Sequence, residues 1–99
     1  MKTINIVFDD LYNDVALLLV PDEIADSVDM VVWEFNNWLS VSDNQQRFLV
    51  PYTNETMVLA IGTEEFLWWL NHVKIIDKNK ASIIRQHTQY VPSFPTAHF

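Results

Sequence analysis

Ninety-nine residues, 49% hydrophobic and 13% aromatic, fit one domain with one core and exclude the polar, highly charged composition of a disordered chain. The absence of cysteine excludes disulfides, thiolate nucleophiles and sulfur-ligated zinc, and a single glycine, Gly62, excludes the glycine-rich loops that cradle phosphates. The net charge of −7 is uneven: residues 1–46 hold nine acids against Lys2, whereas residues 74–99 carry Lys74, Lys78, Lys80 and Arg85 against Asp77, so the field disfavours nucleic acid and favours basic partners.

Lys2 to Phe8 alternates Ile4, Ile6 and Phe8 with Thr3, Asn5 and Val7, the period of a strand. Turn formers from Asp9 to Asn13 lead to a second strand, Asp14 to Val20, in which both alternating sets are apolar. The two are expected to form a hairpin whose second strand is covered on both faces. Pro21 stops that strand and opens a helix with Asp22 and Glu23 in its first turn. Ile24, Val28, Val31, Val32, Phe35, Trp38 and Leu39 form its apolar stripe, and Ser40 to Gln46 reads as a polar loop.

Arg47 to Tyr52 and Thr56 to Ile61 read as a second hairpin turning at Thr53, Asn54 and Glu55. Thr63 is the expected N-cap of a second helix with a core stripe of Phe66, Trp69, Leu70 and Val73. A 42-residue offset superposes Leu17 on Leu59 and Ile24 on Phe66, a hint of two hairpin-helix units. Residues 74–91 read as a third hairpin, with Lys74 to Ile76 opposite a strand through Ile83 and Ile84, a helix being the alternative. The expectation is an α+β fold, mainly antiparallel, in ββαββα order with a C-terminal hairpin or helix. Residues 1–91 form its single domain and 92–99 an irregular tail rich in proline and aromatics.

No catalytic constellation is legible. His72, His87 and His98 show no helical ligand spacing, and no glycine-flanked nucleophile is present. Asp9, Asp10, Asn13 and Asp14 lack the alternate spacing and the glycine of a calcium loop and read as turn chemistry. The expectation is therefore a non-enzymatic protein without metal or cofactor. No signal peptide or membrane span is visible, so the expected location is cytoplasmic.

The first helix carries a feature that helix stability does not select. Asp26 and Asp29 lie beyond the first turn, in like-charge pairs at spacings of three and four, with no Lys or Arg between Thr3 and Gln46. At 100° per residue, Asp26, Asp29, Met30 and Trp33 point away from the stripe, and on the second helix Trp68 points outward beside Glu64. Rings of this size call for a cover: the chain's own C-terminal segment, a second copy in a homodimer, or a partner protein.

The expected binding residues are Asp26, Asp29, Met30, Trp33, Glu64 and Trp68. The expected function is a small acidic module of inhibitor or immunity type that occludes a basic site on a nuclease, toxin or nucleic-acid-binding protein. It would contact neither nucleic acid nor membrane directly. Two other functions are a homo-oligomeric assembly protein using apolar sheet faces and tryptophans, and a small-ligand protein with a pocket near His72 or His87.

Overall fold

The structure is a computed structural model that describes residues 1–9 and 12–99. The expected hairpin forms from β1 (Lys2–Val7) and β2 (Val15–Val20), antiparallel with Ile4 opposite Leu18 and Ile6 opposite Ala16. Asp10 and Leu11, expected in its turn, lie outside the described residues. Ile4, Ile6, Ala16, Leu18 and Val20 fall on one face by strand alternation, and all are buried. On the opposite face Asn5, Val7 and Val15 are buried but Leu17 and Leu19 only half so, which halves the expected two-sided cover of β2.

The stripe after Pro21 folds as two helices instead of one, α1 (Asp22–Asp26) and α2 (Val28–Leu39). The break is Ser27, at φ −134° and ψ 38°, whose hydroxyl donates to the Glu23 carbonyl at 2.6 Å. A serine hydroxyl that bonds the preceding turn competes with the backbone ladder, and the helix yields there. The predicted loop at 40–46 is also partly helical, with α3 (Ser42–Gln45) running into a 3₁₀ turn (Gln46–Phe48). The Asn44 and Gln45 amides donate to the Trp38 and Leu39 carbonyls at 2.7 and 3.0 Å, closing the open end of α2.

The second expected hairpin forms from β3 (Leu49–Pro51) and β4 (Met57–Leu59), but as a separate two-stranded sheet. The two hairpin-helix units are therefore not equivalent. α4 (Thr63–Trp69) continues into a π-helical turn (Leu70–Lys74). Its cap is Gly62 and not Thr63, with the Gly62 N–H donating to Glu65 Oε1 at 2.8 Å. Phe66, Trp69 and Leu70 are buried as their spacing requires, whereas Val73 is exposed.

The expected strand within 83–91 is β5 (Ser82–Thr88), yet it pairs antiparallel with β2 and not with residues 74–76. Residues 92–99, expected as an irregular tail, contribute β6 (Thr96–His98), which lies parallel to β1 with Ala97 opposite Ile6. The main sheet is thus a mixed sheet in the order β5-β2-β1-β6 within an α+β fold.

Asn5 explains the fate of the tail. It is fully buried, and its Nδ2 is shared among the carbonyls of Val91 (2.9 Å) and Phe94 (3.3 Å) and the hydroxyl of Thr96 (3.2 Å), while its Oδ1 accepts from the Val91 N–H at 3.0 Å. The segment held this way delivers Phe99 to Phe8, stacked at 4.6 Å, and to Phe35 and Phe66, edge-on at 5.9 and 4.9 Å. Phe35 also meets Trp69 at 5.3 Å, so the core joins α2, α4 and the C-terminus.

Replacing Asn5 by Ala strands the Val91 N–H, at ~1 to 3 kcal/mol, and opens a small cavity, while the Val91 carbonyl keeps the Phe94 N–H and the Phe94 carbonyl keeps the Thr96 hydroxyl. Asn5→Ala is expected to cost about 3 kcal/mol in urea denaturation and to speed amide exchange selectively at Val91 and in β6. Exchange unchanged there would show that the amide does not hold the segment.

Candidate functional site

The α2 helix packs Val31, Val32 and Phe35 inward and so turns Met30 and Trp33, one turn apart, to the outside. Met30 is 64% exposed and Trp33 65% exposed, with Asp29, Asn36 and Asn37 exposed around them. The chain itself does not cover Trp33. Beside Trp33 opens a groove of about 380 Å³ lined by Trp33, Glu34, Asn37, Trp38, Val41, Asn44, Trp69 and Val73. Trp69 is buried in its floor region, and its indole Nε1 has no hydrogen-bond partner.

The carboxylates of this region do not form one uncompensated acidic face. Lys2 donates to Asp26 Oδ1 at 2.7 Å, the N-terminal amine reaches Asp22 at 2.9 Å, and Lys74 holds Glu34 at 2.7 Å. The helix lacks a cation in its own sequence, but the strand beside it and the end of the π turn supply two. Asp26 is thereby removed from the expected set of free acids, and Asp29 is the carboxylate that remains beside Met30 and Trp33.

The Asp22 carboxyl lies below its ordinary range because it accepts a hydrogen bond from the terminal amine and sits beside its charge. The Lys2 amine is raised, first by its hydrogen bond to Asp26 and then by that residue's charge. Asp22 therefore contributes stability above the ordinary carboxylate range, lost as pH falls through its depressed value. Lys2 contributes below the ordinary amine range, lost as pH rises through its raised value. Both groups are exposed, so both contributions are small.

The α4 pair is placed elsewhere. Trp68 is half-buried in a stack in which the Arg47 guanidinium lies 4.1 Å above its ring, His72 stacks at 4.7 Å, and Phe48 and Trp38 close in at 5.9 and 6.2 Å. It serves as a packing residue between α4 and the segment after α2. The C-terminal segment, expected as a cover for a helix, pairs with β1 and packs Phe99 against Phe35 of α2 and Phe66 of α4, on their inner sides, and Trp33 stays exposed.

Glu64 lines a second cavity, of about 280 Å³, with Phe8, Asp14, Thr63, Glu65 and His87. There His87 Nδ1 meets Asp14 Oδ1 at 2.8 Å. His87 takes a left-handed φ of 53° where β5 carries an irregular register against β2. Bulges re-aim side chains in this way. Sequence spacing could not reveal this pair, since its members stand 73 residues apart. No group of three or more His, Asp or Glu among the described residues is placed to hold a metal ion.

The six expected residues thus fall into separate places: Asp29, Met30 and Trp33 on one open face, Asp26 at its margin in an ion pair, Glu64 at the His87 cavity, and Trp68 inside an aromatic stack. The groove residues Trp38, Val41, Trp69 and Val73 were not singled out from sequence as binding residues, because Trp38, Trp69 and Val73 sit on core stripes. No helix among the described residues is long and apolar enough to cross a membrane. Comparison with protein-family models, curated proteins and solved structures gives no match.

Two outcomes follow. Trp33→Ala is expected to change unfolding free energy by no more than about 0.5 kcal/mol, and Phe35→Ala to cost about 3 to 5, as read from urea melts. Acetylating the N-terminus is expected to move the Asp22 carboxyl up toward the ordinary carboxylate range in an NMR titration.

Proposed function

We propose that this chain is a protein-binding module that docks a basic partner on the outer face of α2, in the manner of a small inhibitor or immunity-type protein. The observation that carries the reading is the adjacent exposure of Met30 and Trp33, at 64% and 65%, beside an aromatic-lined groove. Two thirds of a tryptophan side chain of ~200 Å² left in water forgoes on the order of 3 kcal/mol, which a partner recovers on contact. Tryptophan is also among the residues that dominate interface energies.

The charge distribution supports a basic partner. Asp29 adjoins the two apolar side chains, and Asp43 is exposed on the following turn. The net charge of −7 gives long-range attraction that salt screens within about 10 Å. In this reading Trp33 and Met30 are the anchors and Asp29 is the rim.

The test begins with capture from the source cell, identification of the protein retained, and reconstitution with that protein purified. Trp33→Ala is expected to weaken the purified complex at least tenfold with the free fold unchanged by NMR. Asp29→Lys is expected to slow association and to flatten its salt dependence. A captured partner that binds both variants as it binds the parent chain would refute this use of the α2 face.

A further inference from the structure

The groove beside Trp33 contains a polar group that the fold leaves unanswered. Trp69 lines it and is only 2% exposed, yet its indole Nε1–H has no acceptor among the described residues. Buried donors in this state are few in folded proteins, because each gives up its bond to water and receives none in return. The polar side chains of the wall are engaged elsewhere. Lys74 Nζ holds both carboxylate oxygens of Glu34, at 2.9 and 2.7 Å, and the Asn44 amide donates to the Trp38 carbonyl at 2.7 Å.

These groups decide what kind of occupant fits. Trp33, Trp38 and Trp69 all line the groove, and an indole nitrogen donates and never accepts, so the wall offers flat apolar surface and N–H groups. An ordinary extended peptide brings an N–H at every residue, whereas the one carboxylate of this wall is already taken by Lys74. Proline brings a carbonyl without an N–H. A proline-rich segment is moreover preformed as polyproline II and loses little conformational freedom on entering an aromatic groove.

Charge sets the flank of that segment. Asp29 on α2, and Asp43 between the lining residues Val41 and Asn44, are exposed and belong to no ion pair among the described residues. A basic residue beside the prolines meets them.

We propose that the groove takes a proline-rich segment of the basic partner, in the polyproline II form with a basic residue at its flank, and that one carbonyl of the segment accepts from Trp69 Nε1. The proposal rests on the α2 docking face proposed above and names the part of the partner that this face reads. Because the donor lies beneath the groove surface, side chains of the wall shift to admit the carbonyl, as interface side chains commonly do on binding.

The probe is a capped peptide of one arginine followed by a run of prolines, and its control carries alanine in place of every proline. In proton–nitrogen NMR the proline peptide is expected to shift the indole resonances of Trp33 and Trp69 saturably below about 2 mM. The indole of Trp68, held in its stack between Arg47 and His72, is expected to stay nearly unmoved, and the alanine peptide to bind at least tenfold more weakly. Trp69→Phe keeps a ring in the wall without the donor and is expected to weaken the proline peptide about fivefold. Absence of a saturable shift would overturn the proposal, as would equal binding of the alanine peptide or a Trp69 indole that stays put while Trp33 responds. These readings use the parent chain and do not depend on whether the variant folds. A captured partner that needs Trp33, beside a proline peptide that fails to bind, would sink this proposal and leave the docking face standing.

Discussion

The side-chain amide of Asn5 is the point on which this fold closes. It is the one fully buried polar side chain among the described residues, and it satisfies main-chain groups of a segment some ninety positions away in sequence. An apolar residue there would leave the Val91 N–H without its partner and take one donor each from the Val91 and Phe94 carbonyls, and a backbone donor inside the protein does not persist unpaired. Because the segment is held, β6 reaches the free edge of β1 and Phe99 enters the aromatic cluster around Phe35. Phe35 in turn fixes the rotation of α2, and that rotation presents Met30 and Trp33 to water.

The acidic first half of the chain is better balanced in three dimensions than along the sequence. Lys2 and Lys74, from opposite ends of the chain, each reach a carboxylate of the helical segment, and the terminal amine reaches a third. These exposed or half-exposed pairs contribute little stability. Their consequence is to confine the uncompensated charge near Trp33 to Asp29. Among the described residues, the α2 face is aromatic with an acidic rim, whereas the β3–β4 hairpin is neutral and apolar.

The outward turn of α2 was legible in the sequence, since six apolar residues at helical spacing, Val28, Val31, Val32, Phe35, Trp38 and Leu39, define its inner side and leave Met30 and Trp33 by exclusion. The same reasoning applied to Trp68 placed it outside, and it was misleading there. Arg47, Phe48 and Trp38 come from another segment to enclose that ring, and helical periodicity carries no information about segments that fold over its polar side. The Asp14–His87 contact was illegible for a related reason, as it depends on a strand irregularity that brings distant residues together.

By itself the sequence determined the α+β class, the first hairpin, the inner side of both main helices, the strand near Ile83 and the turn of the second hairpin. Each of these follows from local periodicity or from the backbone restrictions of proline and the turn formers. Tertiary structure decided the rest: that β5 joins β2, that the C-terminal residues form a parallel strand, that the second hairpin stays apart, and that Asp26 and Glu34 are paired. Strand partners and ion pairs are chosen by which distant groups can satisfy one another's hydrogen bonds and charges. That choice is made only when Asn5 and the Phe35 cluster bring the two ends of the chain together.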